Sequence, residues 1–348
     1  MSDFARRTDV KISFDGVDIT SDIKKFMLSL TYTDNEEDTP DDLQIVLHDR
    51  DGIWMEKWLN EAIDAAAASR LKISADIEPK FWGDDTVLPT GGHELDRVDA
   101  SGPPSKLTIR ATSLPFAASI RQTKKDKAWE SYTLSGIASE IAGNGGMGCM
   151  YLATSDPAFD RVEQVKTSDM DFLLELCHNA GISLKASDGN IVLFDQADYE
   201  SKPPVLTLTK GKKGYETYKL STGAANTQYA TCHVRYQDPN TGKLVEGNAT
   251  AEGADTKSGQ CLEISAKVAN EGEANDLAAK QLRLHNKFER VAVFKLPGNT
   301  KLVAGVVVEL KAFGGWDGKY IVKQARHTVT DSGGYTTQIT LRRILEGY

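Results

Sequence analysis

The sequence predicts a mainly β, α+β protein: two antiparallel β units, each with a flanking helix, separated by a small α+β insert. Three observations predict it. Apolar residues alternate with polar ones near both ends of the chain, two well-capped helices interrupt that pattern in the middle, and the order strand, long polar loop, strand, helix, strand set occurs twice. The implied boundaries are residues 1–115, 116–200 and 201–348.

In the first unit, Val10, Ile12 and Phe14 alternate up to Asp15-Gly16, and Val17 and Ile19 follow, which reads as two strands around an Asp-Gly turn. A strand over 26–32 leads into TDNEEDTPDD at 33–42, whose charge density predicts an exposed loop. Leu43, Ile45 and Leu47 resume the alternation. Residues 51–70 read as a helix with Trp54, Trp58, Ala62 and Ala65 on one face, and strands follow at 71–77, 95–98 and 107–109.

In the insert, Leu134, Ile137, Ala138 and Ile141 are spaced as a helix stripe behind an N-cap at Thr133. Ser168 and Asp171 form a capping box ahead of Phe172, Leu173, Leu176 and Ala180, and Gly181 closes that helix. SLKASDGNIVLFD reads as strand, turn, strand, and SKPPVLTLTKGKKG as a linker into the next unit. From 215 onward the pattern returns: a strand over 228–236, a polar loop over 237–259, a strand over 262–268, a helix over 270–290, and strands at 291–296, 305–312, 319–329 and 335–344. The endings correspond, with Leu107-Thr108-Ile109-Arg110 matching Ile339-Thr340-Leu341-Arg342.

Composition excludes several classes. The chain is 40% hydrophobic and 26% charged, ordinary for a globular protein, and 348 residues are enough for two or three cores. A net charge of −9 opposes binding a polyphosphate backbone, and the best basic cluster, RQTKKDK at 121–127, reads as a solvated face. No sequence-specific nucleic-acid role and no membrane partner are expected. The arginines near the start lack an apolar run behind them, and the four cysteines, Cys149, Cys177, Cys232 and Cys261, are widely spaced, as reduced thiols would be.

No catalytic, cofactor or metal residue is identified. GNGGMG at 143–148 fits a dinucleotide-binding pattern in letters only: a helix precedes the glycines, whereas phosphate needs a helix N-terminus after them. The dipeptides Cys177-His178 and Cys232-His233 place their side chains on diverging faces and read as a buried thiol beside an exposed imidazole. The remaining histidines lack ligand spacing, and the acidic runs lack the glycine and glutamate of a calcium loop. Numerous carboxylates keep open an alternative as a wall-degrading hydrolase.

Four stretches resemble the late control protein D family of contractile-tailed phages, a baseplate hub group similar to the hub portion of type VI secretion spike proteins. They are LTIRATSLPFAASIRQTKKDKAW with TLSGIASEIA, QVKTSDMDFLLELCHNAGISL, EANDLAAKQLRLHNK, and LVAGVVVELKAFGGWDGKYIVKQARHTVTDSGGYTTQITLRR. The resemblance implies two tube-like β-barrels per chain and a non-enzymatic homotrimeric ring between a sixfold tail tube and a threefold spike. Its implied partners are itself, the central spike, the tail tube or tube initiator, the tape measure protein and baseplate wedge proteins, in a virion tail baseplate or tailocin particle assembled in the host bacterial cytoplasm. A spike or effector carrier would need a further module, and the chain ends at Tyr348 just after its last expected strand. The two polar loops occupy the same slot of each unit, so Asp34, Glu36, Glu37, Asp38, Asp41 and Asp42 in the first, and Asp238, Asn240, Lys243 and Glu246 in the second, are the candidate ring contacts.

Overall fold

A computed structural model of the protein describes residues 6–54, 56, 71–83, 85–114, 119–223, 228–238, 242–251, 259–331 and 334–345. Most of the helix expected over 51–70, with Trp58, Ala62 and Ala65, lies outside the described residues, as does Asn240.

The first unit contains β1 (Arg7–Phe14), β2 (Val17–Asp18), α1 (Thr20–Ile23), β3 (Met27–Asn35), β4 (Asp42–His48), β5 (Lys72–Lys80), β6 (Leu88–Pro89), β7 (His93–Ser101) and β8 (Lys106–Thr112). Asp15 and Gly16 both take positive φ, 49° and 79°, as the tight turn between β1 and β2 requires. Along β4, Leu43, Ile45 and Leu47 point inward and meet Ile73, Ile77, Leu107 and Ile109 in one apolar core.

The insert holds α2 (Ser119–Gln122), β9 (Lys125–Thr133), α3 (Leu134–Asn144), β10 (Gly148–Tyr151), β11 (Ala158–Thr167), α4 (Asp169–Ala180), β12 (Ser183–Ser187), β13 (Asn190–Phe194) and α5 (Gln196–Glu200). The caps act as read: the Thr133 side chain accepts from the Gly136 N–H, the Ser168 side chain accepts from the Asp171 N–H, and Gly181 ends α4 in the left-handed conformation at φ 67°. Trp129, Leu134, Ile137, Ile141, Phe172 and Leu173 fill its core. The glycine run follows α3 and opens into β10, so its order is helix, glycines, strand. Residues 121–127 are exposed or half-exposed, as read, and within them Lys125 and Lys127 lie in β9 and pair with Asp169 and Glu140, both at hydrogen-bonding distance.

The rest of the chain forms β14 (Leu206–Thr209), β15 (Thr217–Thr222), β16 (Thr231–Gln237), β17 (Leu244–Thr250), β18 (Cys261–Ser265), α6 (Glu271–Asn286), β19 (Arg290–Pro297), β20 (Val307–Lys311), β21 (Gly318–Thr330) and β22 (Gly334–Arg343). It has two cores: one between β19, β20, β21 and β22 around Phe294, Tyr320 and Leu341, the other where α6 packs Ala274, Ala278 and Leu282 on β16 and β17. A Cβ at Gly247 would stand 2.3 Å from the Ala274 backbone, so only glycine lets helix and strand approach this closely.

The loop expected over 237–259 is corrected, because its residues 244–250 are β17, antiparallel to β16. The repeated order is therefore carried by different pairings. β3 and β4 run antiparallel, whereas β16 and β18 run parallel with β17 on the other side of β16.

The two outer units share one sheet. Its strand order is β15-β19-β22-β21-β3-β4-β8-β7-β5-β1-β2, with β14, β20 and β6 attached, and the β21–β3 ladder joins one unit to the other. Val329 and Tyr335 of the last hairpin also sit in the first unit's core.

Candidate functional site

At that joint lies a cluster of buried charges, and the acidic stretch forms its centre. Thr33, Asp34 and Asn35 are the end of β3, and the chain continues in contact with β21 and the insert: the Glu36 N–H donates to the Lys323 carbonyl at 2.9 Å and the Asp38 N–H to the Leu184 carbonyl at 2.9 Å. Asp34, Glu36, Glu37 and Asp41 are buried. The expectation of an exposed loop is therefore corrected. Each buried carboxylate has met a cation from a distant part of the chain, without which its burial would be prohibitive.

Arg342, on β22 and fully buried, donates through Nε to Glu36 at 2.9 Å and through Nη2 at 2.5 Å, a fork that matches both carboxylate oxygens. Its Nη1 donates to Glu200 at 2.6 Å, and Glu200 also pairs with Arg283 of α6. Glu37 pairs with Lys287 and accepts from Ser183 at 2.7 Å and Gln196 at 2.6 Å. Burial raises the Glu37 carboxyl, but Lys287, the Ser183 hydroxyl and Arg342 outweigh it and hold it below its ordinary value. Lys185 donates to Asp34 at 2.5 Å and lies 3.6 Å from Asp41. Burial pushes Asp41 up to about 6, opposed by Lys185 and assisted by the charge of Asp34. The Asp34 Oδ2 accepts from the Ala304 N–H at 2.8 Å, and Asp41 accepts from the Asn35 N–H and the Ser187 hydroxyl, each at 2.9 Å. One cluster thus ties β3, β22, α6 and the insert together.

Two members of the stretch differ. Asp38 is exposed and lies 3.2 Å from His178, whose imidazole is raised above its ordinary value by that hydrogen bond. Asp42 is half-buried at the start of β4, raised by burial despite Arg110. A depression of about 190 Å³ adjoins Asp38, lined by Pro40, Leu114, Met170, Leu174 and Leu184.

Of the second candidate set's described residues, Lys243 and Glu246 are exposed and Asp238 is half-buried. The Asp238 N–H donates to the Lys243 carbonyl at 2.9 Å, closing the turn between β16 and β17, and Glu246 on β17 lies 3.5 Å from His233 and 3.8 Å from Arg235. The two sets are therefore not equivalent: the first is consumed inside the chain, the second lies on a hairpin.

Sequence reading missed Arg342, Arg283, Lys287, Lys185 and Glu200. Arg342 carried a faint signal, since it matches Arg110 in the corresponding strand ending. Cys177 and Cys232 are buried, as read, and pushed up by burial; His178 is exposed, whereas His233 is half-buried beside Glu246 and Glu263, and all four cysteines are free. Among the described residues no group of three or more His, Cys, Asp or Glu is placed to hold a metal ion, and no helix is long and apolar enough to cross a membrane. The buried carboxylates accept from cations, hydroxyls and backbone amides, and these bonds connect segments distant in the chain.

The family described as phage tail baseplate hub (GPD) matches residues 96–333. The probable baseplate hub protein of Escherichia phage 186 is 24% identical over 233 residues, covering 66% of this chain and 56% of that protein. Its counterpart from Escherichia phage P2 is 22% identical over 238 residues, covering 66% and 57%. The matched region thus spans little more than half the length of those relatives. Among solved structures, a tail protein from Neisseria meningitidis MC58 aligns with a TM-score of 0.68 at 13% identity over 97% of both chains. A type VI secretion system component of E. coli aligns at 0.56 and 12% identity, over 97% of this chain and 78% of that one.

Proposed function

The chain belongs to the phage tail baseplate hub family, and we propose that it is the structural hub of a contractile tail or tailocin, a homotrimeric ring between a sixfold tail tube and a threefold central spike. The observation that carries this reading is the joint: two strand sets share one sheet through β21 and β3, and buried ion pairs fix the insert and α6 against them. An adaptor between rings must hold its two halves in one relation. Three chains with two strand sets each would offer six similar surfaces on one side and three whole chains on the other. The role is non-enzymatic, and the acidic stretch supports this, because its buried carboxylates are engaged by cations. Its partners are further copies of itself, the central spike, the tail tube or its initiator, the tape measure protein and the wedge proteins, in a particle assembled in the host cytoplasm.

Light scattering across a concentration series tests the reading. The expected mass at high concentration is three times 38.0 kDa. A strict monomer in the presence of the spike protein, or hydrolysis of peptidoglycan by the purified chain, would overturn it.

A further inference from the structure

The chain has six histidines, and the two that are fully buried, His93 at the start of β7 and His327 in β21, lie on either side of one tyrosine. Tyr32 of β3 stacks on His327 with ring centroids 6.2 Å apart and meets His93 edge-on at 5.8 Å. In the β21–β3 ladder His327 stands opposite Tyr32, so the three rings cross the joint between the outer units.

Each imidazole is held in its neutral form. His327 Nε2 donates to the Leu302 carbonyl at 3.0 Å, which leaves Nδ1 to accept from the Tyr335 hydroxyl at 2.8 Å, with the Thr337 hydroxyl 3.3 Å away. His93 Nδ1 donates to the Gly91 carbonyl at 3.2 Å, and among the described residues its buried Nε2 has no partner. A second proton would place an N–H against the Tyr335 hydroxyl on one ring and against no acceptor on the other. Burial lowers both imidazoles from 6.5 to about 4, opposed at His93 by the Gly91 carbonyl and Asp188, and at His327 by Asp34 and the Leu302 carbonyl. The charges around the rings are already engaged: Asp34 by Lys185 and the Ala304 N–H, Asp41 by Lys185, the Asn35 N–H and the Ser187 hydroxyl, and Asp188 by the Gly92 N–H. Tyr32 and Tyr335 are raised by burial and stay neutral.

We propose that the His93–Tyr32–His327 stack is an acid-sensitive lock on the joint: with both imidazoles neutral the β21–β3 ladder is closed, and their protonation opens it where residues 29–32 face 327–330. The other half of the ladder is held independently. The Gln324 side chain donates to that of Asn35 at 2.8 Å, and the Glu36 N–H donates to the Lys323 carbonyl beside the Glu36–Arg342 pair. The remaining histidines, His48, His178, His233 and His285, are at least partly exposed and take a proton without opening the ladder. The contribution of each buried imidazole is complete above 6.5 and is lost as pH falls towards the folded value. Asp41, raised to about 6, acts in the opposite direction over the same range and offsets about one of the two.

Hydrogen exchange on the full chain, expressed as protection factors at pH 7 and pH 4, tests the lock. Protection of the amides of 29–32 and 327–330 is expected to fall about a hundredfold, while that of α3, α4 and α6 changes by less than about threefold. His93→Phe keeps a ring against Tyr32 that takes no proton, and His327→Gln keeps both an acceptor and a donor. Each is expected to reduce the loss by about tenfold, whereas His48→Gln leaves it as in wild type. Should a variant fail to fold, the wild-type profile decides alone. Ladder protection that is equal at the two pH values, or a loss shared equally by α3, α4 and α6, overturns the proposal, as does a loss that persists in full in the folded variants. The lock belongs to the single chain, and its failure leaves the hub reading standing.

Discussion

The stretch 33–42, between β3 and β4, and the residues Asp238, Lys243 and Glu246, where β16 leads into β17, both carry charged side chains and have opposite fates. In the first, Glu36 and Glu37 are buried against Arg342 and Lys287; in the second, Glu246 sits on the surface beside His233 and Arg235. Local composition points the wrong way, because the stretch with six acids and no base is the one that is buried. The difference lies in what covers them: the insert and α6 close over the end of β3, whereas nothing in the described residues closes over the β16–β17 turn. Charge density reports the cost of burying a segment, and a fold meets that cost where it can bring counter-ions from elsewhere.

The sharpest way to break this comparison is to remove one counter-ion. Arg342→Ala leaves Glu36 and Glu200 buried with their fork gone, and is expected to destabilise the chain by about 3–5 kcal/mol in urea unfolding. A loss below about 1 kcal/mol would mean that the cluster is solvated and that the first stretch resembles the second after all.

A smaller effect separates the two regions by pH. Asp41 is raised to about 6 from 3.8, so between those values the folded state binds more protons than the unfolded, and its contribution favours folding as pH falls through that window. Glu37 is lowered, so its contribution is present above its unfolded value and lost as pH falls through the folded one. Asp41→Asn removes only the first. From pH 7 to pH 4 wild type should gain on this variant by about 2–3 kcal/mol, measured as the change in their stability difference. A constant difference would show that Asp41 titrates as an exposed carboxyl does.

Asp38 sharpens the comparison from within, as the exposed acid of the buried stretch. His178→Ala removes its partner and should cost under about 1 kcal/mol, as surface pairs do. The raised imidazole sets the sign. Its contribution is complete below the unfolded value of 6.5 and disappears as pH rises through the folded one.

Legibility in the sequence followed the range of the forces. Elements set by neighbours a few residues away were readable: the alternation of β4, the caps at Thr133 and Ser168, the closing Gly181 and the presence of α6 as a helix. β17 was not, because Gly247 stands at an inward position where an apolar residue would have marked the period. β9 and β11 were hidden by their charges, with Trp129 the deeply buried side chain between them. The cluster was least readable of all. Arg342 lies 306 positions from Glu36 and Lys287 lies 250 from Glu37, and along β22 the alternation assigns Arg342 to the outward face, which other elements then cover. The family resemblance carried the general role, but not the burial of the acidic stretch.

The smallest expected effect tests the other half of the comparison. Glu246→Lys reverses a charge that is 45% exposed and faces His233 and Arg235 at 3.5 and 3.8 Å, so the lost attraction is largely screened. Folding stability should change by no more than about 0.5 kcal/mol. Under the hub reading that neutrality is informative, because a surface residue that contributes little to its own fold is free to serve a contact between rings. The same reversal should then weaken association with tube or spike protein, in a manner that salt diminishes, while the concentration dependence of folding stays as in wild type. Unchanged association across ionic strengths would remove Glu246 from the contact set and leave the turn an ordinary solvent hairpin. A destabilisation of several kcal/mol would instead place Glu246 in a buried network, and the contrast between the two polar segments would fail.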